Sequence, residues 1–184
     1  VAKMGEQMLI FKGDAGSGKT ISLLNVALKL EKENKRVLLL TYNNALVSDI
    51  RRLLKLLKTG LINIQTGHLH FHAWSDEVNS RRPGQKKGPY EEDYQECIDE
   101  MNTLFDAWKD DLGKYKSRLQ YNYDHVLIDE AQDWPDNEVQ LLLKIYSSDK
   151  LILADGKKQL TKTDKYQEWH RHLPTEKAHQ IVSL

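Results

Sequence analysis

The sequence predicts an α/β fold, a parallel sheet flanked by helices, and three observations carry that reading. Short apolar runs at Met8-Leu9-Ile10-Phe11, Val37-Leu38-Leu39-Leu40 and His125-Val126-Leu127-Ile128 alternate with segments whose apolar residues recur at helical spacing. The first run flows through a glycine-rich turn, Gly13 to Thr20, into a helical pattern. The third ends in two adjacent carboxylates, Asp129 and Glu130. Unbroken apolar runs are what strands need when both faces of a parallel sheet are covered by helices.

Each element follows in turn. Ile21, Leu24, Ala27 and Leu28 set the period of the first helix, and Asn34 near its end is a stop signal before the strand at Val37. A second helix is expected with Leu46, Ile50, Leu53, Leu54 and Leu57 on one face, then a strand at Leu61-Ile62-Asn63-Ile64. Tyr90 to Leu112 reads as mostly helical, with Tyr94, Ile98, Met101, Phe105 and Trp108 in one stripe that favours packing over base stacking. Cys97 falls on the same stripe and reads as core. A helix from Glu138 to Tyr146 and a strand from Lys150 to Leu153 complete the core.

Gly13-Asp14-Ala15-Gly16-Ser17-Gly18-Lys19-Thr20 fits the phosphate-binding loop pattern, and the strand before it and helix after it are the context that pattern requires. Glycines let the backbone curl with its N–H groups turned inward, at the positive end of a helix. The expected cradle is Gly13, Ala15, Gly16, Ser17, Gly18, Lys19 and Thr20, with the Lys19 ammonium on the β- and γ-phosphates and the Thr20 hydroxyl on Mg²⁺. Asp129 is the candidate for the Mg²⁺ shell, through a bound water, and Glu130 the candidate base for an attacking water. Two carboxylates beside a triphosphate would repel it without a cation, so the pair itself implies Mg²⁺.

Composition narrows the class. The 184 residues, 40% hydrophobic and 29% charged, suit one soluble domain, and a single cysteine excludes an internal disulfide. No apolar run is long enough to span a bilayer and no basic-then-apolar leader opens the sequence, so a cytoplasmic protein without a membrane partner is expected. The 27 Lys plus Arg balance 27 Asp plus Glu, and bulk charge does not announce a nucleic-acid binder. The basic loop from Arg81 to Pro89 fits a phosphate backbone and a solvated surface equally well. Thr41, Asn43 and Asn44 follow a strand at the same sheet edge as Lys19, where hydroxyl and amide groups can reach phosphates. Phe71, His72 and Trp74 can offer a stacking face to a single strand, His72 being open to a second reading as a core or cap histidine.

Asp129-Glu130-Ala131-Gln132-Asp133 resembles motif II of superfamily 1 helicases of the UvrD/Rep/PcrA type, and Gly13 to Thr20 resembles their motif I. In the same order, Leu40 to Leu46 resembles motif Ia, His70 to Trp74 the segment called Ic, and Leu153 to Gln159 motif III. The resemblance implies a RecA-like first motor domain over residues 1–184 that binds ATP and Mg²⁺ and moves on single-stranded DNA, RNA being possible. It makes Lys19, Glu130 and Gln159 the catalytic set, with Gln159 coupling the γ-phosphate to the strand. It also implies a helical insertion over about 75–123, like the family's 1B subdomain, and a fragment of a longer helicase whose second RecA-like domain supplies arginines to the site. The alternative is a phosphate-loop nucleotide switch that gates a nuclease or other partner without unwinding.

Overall fold

The computed structural model describes residues 6–79, 92–107, 122–156, 169–172 and 179–184. Their strands form one six-stranded sheet: β1 (Met8–Gly13), β2 (Val37–Thr41), β3 (Ile62–Thr66), β4 (His125–Ile128), β5 (Leu151–Gly156) and β6 (His179–Ser183). The order across the sheet is β3-β2-β4-β5-β1-β6, and every pairing is parallel. All carboxyl ends therefore open on one edge, where ligands of such sheets bind. β5 lies between β1 and β4 and joins the two site-bearing strands.

The strand side chains alternate between two cores. Met8, Ile10, Leu38, Leu40, Val126, Ile128, Leu151 and Leu153 line one face. Leu9, Phe11, Val37, Leu39, Leu127, Ile152 and Ala154 line the other. Helices α1 (Lys19–Lys32) and α2 (Asn44–Leu56) cover the second face with Leu23, Val26, Ala27, Leu30, Val47, Ile50 and Leu54. Helices α3 (Gly67–Asn79), α4 (Glu92–Ala107) and α5 (Asp136–Ile145) cover the first. Each such Leu or Ile removed from water contributes roughly 1.5–3 kcal/mol, which is why the strand runs carry no polar alternation.

Several expectations are corrected in register. Ile21 is 65% exposed and the buried stripe of α1 is Leu23, Val26, Ala27 and Leu30. In α2 the buried set is Val47, Ile50 and Leu54, with Leu53 and Leu57 exposed. β3 starts one residue later than expected and runs to Thr66, α5 starts two residues earlier, and β5 extends to Gly156. Asn34 does end α1: it sits at φ 62°, and the Lys35 N–H reaches back to the Leu30 carbonyl at 3.0 Å. In α4, Ile98, Met101 and Phe105 are buried in the first core with Tyr94 and Cys97 packed against it. Trp108 and the basic loop 81–89 lie outside the described residues.

Candidate nucleotide site

The loop between β1 and α1 has the backbone its sequence calls for. Gly16 and Gly18 take φ of 75° and 86°, where any side chain would be strained. Gly13 faces Ser17, whose Oγ leaves no room for a Cβ there. No side chain caps the start of α1 and no acid occupies its first turn. The helix thus presents its first N–H groups and the positive end of its dipole to the loop, an arrangement that receives phosphate. The Lys19 ammonium is buried over the same loop, donating to the carbonyls of Gly13 at 3.1 Å and Asp14 at 3.0 Å.

Asp129 leaves the end of β4 with its N–H still on the Leu40 carbonyl of β2 at 2.9 Å. Its buried carboxylate accepts from the Thr20 hydroxyl at 3.1 and 3.0 Å, which brings the two expected Mg²⁺ contacts together. Burial first, and the Glu130 charge second, push the Asp129 carboxyl up to about 6, while the Thr20 bond pulls the other way. Among the described residues no cluster of three or more His, Cys, Asp or Glu side chains could hold a metal. A hydroxyl and one crowded carboxylate are a partial oxygen set, and they fit a Mg²⁺ that takes its other ligands from phosphate and water.

Glu130 has left-handed backbone, φ 47° and ψ 50°. In a residue with a Cβ that conformation costs roughly 1–3 kcal/mol, so the surrounding contacts must enforce it. They do so from several sides. The Trp134 indole N–H donates to the Asp129 carbonyl at 3.2 Å, and the Trp169 indole N–H donates to the Ala131 carbonyl at 2.7 Å. The two rings pack edge to face, with centroids 6.3 Å apart. The Asp133 N–H closes the turn on the Glu130 carbonyl at 3.0 Å. Gln132 donates to the Glu130 carboxylate at 2.7 Å. Neither tryptophan nor Gln132 had been given a role from sequence; the signal that could have marked Gln132 was its position inside the carboxylate motif.

The residues expected to meet nucleic acid divide. Asn43 and Asn44 are exposed at the end of β2, though the Asn43 side chain also caps α2 by accepting from the Leu46 N–H at 3.1 Å. His72 is half-buried on α3. Thr41 and Phe71 are corrected: both side chains are 0% exposed, so neither has a surface to offer a strand. The Thr41 hydroxyl accepts from the Asn43 N–H at 3.2 Å, and Phe71 packs edge to face on Trp134 in the first core. Trp74 falls within α3, but its side chain and Gln159 lie outside the described residues.

Behind this edge Glu138, fully buried on α5, accepts from the hydroxyls of Tyr42 and Tyr94, the latter at 2.8 Å. Burial and the Glu138 charge push the Tyr42 phenol well up, keeping it protonated as a donor. His68 stacks on Tyr94 with centroids 4.6 Å apart and meets Tyr42 edge-on. One buried acid thus ties the end of β2 to α4 and α5, and His68 of α3 packs on the two tyrosines it holds.

A family model described as an AAA domain matches residues 1–164. Comparison with individual curated proteins finds no match. The match takes in β1 through β5, and with them the phosphate loop and both carboxylates. With an inward-facing loop, a buried lysine and a hydroxyl–carboxylate pair assembled on a parallel sheet, the chain belongs to the AAA domain family and is a P-loop ATP-binding domain.

Proposed function

We propose that this domain hydrolyses ATP and is the first motor domain of a superfamily 1 helicase or translocase acting on single-stranded DNA. The observation that carries the reading is the meeting of Thr20 and Asp129 across the sheet edge with Glu130 held beside them in an enforced backbone conformation. A carboxylate at that place has the chemistry of a general base for water, and catalysis of phosphoryl transfer is largely positioning and charge stabilisation. Lys19 and the first N–H groups of α1 would hold the phosphates, and Thr20 and Asp129 would hold Mg²⁺. When bound, Mg²⁺ neutralises charge on the phosphate oxygens. Glu130 would orient the water and take its proton, and arginines from a second RecA-like domain would complete the site.

Support for a nucleic-acid track comes from the exposed Asn43 and Asn44 at the end of β2, on the carboxyl edge that also carries Lys19. The motif resemblances at β2, α3 and β5 follow the family's order. The test is steady-state ATP hydrolysis by the full-length protein, with and without single-stranded DNA and RNA, beside a Glu130→Gln control. Strong stimulation by one polymer, lost in the control, supports a motor. Turnover indifferent to both polymers overturns it in favour of a nucleotide switch.

A further inference from the structure

Gln132 is 1% exposed and has both ends of its amide engaged. Its Nε2 donates to the Glu130 Oε2 at 2.7 Å, and its Oε1 accepts from the Gly156 N–H at 2.7 Å. Chemistry fixes which way the amide faces. Reversed, it would set oxygen against a carboxylate and NH₂ against an N–H. Gly156 is the last residue of β5 and lies in register with Gly13, the last residue of β1 and the first of the phosphate loop. One position earlier in that register, Lys12 and Asp155 form an ion pair at 3.5 Å. A continuous path therefore runs from the phosphate loop through the β1–β5 pair and one side chain to the Glu130 carboxylate.

We propose that Gln132 is a positioning residue: a strut that ties Glu130 to the paired ends of β1 and β5, so that the base and the phosphate loop move as one body. The proposal rests on the reading of Glu130 as the base. A carboxylate on a flexible side chain works as a base only when held within hydrogen-bond reach of its water, and small misplacements far from the chemistry have large effects on rate. A shorter amide at 132 could not span both partners, and a side chain without polar ends could hold neither. Gly156 belongs to the same device, because a Cβ there would lie 3.1 Å from the Gln132 Nε2 and 3.2 Å from its Cδ.

The test measures kcat, KM and nucleotide affinity for ATP in Gln132→Met, Gly156→Ala, the double variant and Glu130→Gln, each checked for folding by thermal melting. Gln132→Met is expected to lower kcat about 10- to 100-fold, the worth of a hydrogen bond to a charged group, with KM and affinity moving less than about threefold. Gly156→Ala is expected to lower kcat in the parent and to do nothing further once Gln132 is Met. Unchanged kcat in Gln132→Met, an equal loss of affinity, or additive losses in the double variant overturn the strut. Full turnover in Glu130→Gln overturns the base assignment instead. Should Gln132→Met fail to fold, Gly156→Ala decides alone: lowered kcat at unchanged affinity supports the strut, and unchanged kcat overturns it.

Discussion

The Thr20 hydroxyl donates to both carboxylate oxygens of Asp129, at 3.1 and 3.0 Å, although 109 positions separate the two residues in sequence. The parallel sheet makes this meeting possible. Thr20 stands in the first turn of α1, one loop beyond β1, Asp129 directly beyond β4, and β5 between them sets the span. Whatever one residue binds, the other must share.

Removing the shared hydroxyl should separate metal from phosphate. Thr20→Val keeps the side chain's shape and the loop's backbone donors while deleting the oxygen. ATP affinity measured with Mg²⁺ should fall at least about tenfold, comparable to losing a hydrogen bond to a charged group. Affinity measured in EDTA should change little. Equal losses under both conditions would show that Thr20 supports the loop and not the cation.

Lys19→Ala should weaken nucleotide binding itself. The ammonium is buried over the loop, held by the Gly13 and Asp14 carbonyls. Its loss should lower ATP affinity more than AMP affinity, because on the proposed reading the charge meets the outer phosphates. Equal affinity for ATP in the variant and the parent, read by calorimetry, would remove Lys19 from the site.

Gly67 faces Trp134 so closely that a Cβ there would lie 2.8 Å from the ring's Cη2 and 3.1 Å from its Cζ3. Trp134 is buried among Tyr42, Phe71 and Trp169 and holds the Asp129 carbonyl, so it cannot retreat without disturbing the motif. Gly67→Ala should therefore destabilise by about 1–3 kcal/mol in urea unfolding, the usual effect of overpacking. Turnover should fall with it, because the displaced ring is the one that holds the Asp129 carbonyl. Unaltered stability would mean that the ring has room to move.

Much of this was legible in the sequence, and the remainder failed for identifiable reasons. Strands β1, β2 and β4 could be placed because parallel strands covered on both faces are unbroken apolar runs, and Val37–Leu40 and Val126–Ile128 contain nothing else. The loop and the carboxylates were legible because their residue types and spacing fit a phosphate-binding pattern between a strand and a helix. The buried stripe of α1 was not. Apolar residues from Ile21 to Leu30 occupy most of the helix circumference, and only the sheet decides that Leu23 and Val26 turn inward while Ile21 turns out. Thr41 and Phe71 were misplaced because exposure belongs to the packed fold. The braces on Glu130 were hidden for another reason: Trp169 reaches Ala131 across 38 positions and Gly156 reaches Gln132 across 24, distances at which no local pattern speaks.

His70 gives the fold a dependence on acid that can be measured apart from any activity. It is fully buried on α3, stacked on Tyr146 and tilted against Phe71, with its Nε2 3.3 Å from the Tyr146 hydroxyl. Burial pushes the imidazole down to about 3. Between that value and the unfolded value near 6.5, the unfolded chain binds a proton that the folded chain refuses. Stability must therefore rise with pH across this window and be fully present only above about 6.5. From pH 6.5 down to 4.5, His70 alone should remove about 2 kcal/mol. His125, pushed down chiefly by its own burial, acts in the same direction. His70→Gln keeps a polar partner for Tyr146 and cannot titrate, so its urea midpoint should fall less steeply than the parent's over that range. Parallel slopes in the two proteins would mean that the buried imidazole accepts a proton without unfolding, and that α3 yields locally to let it.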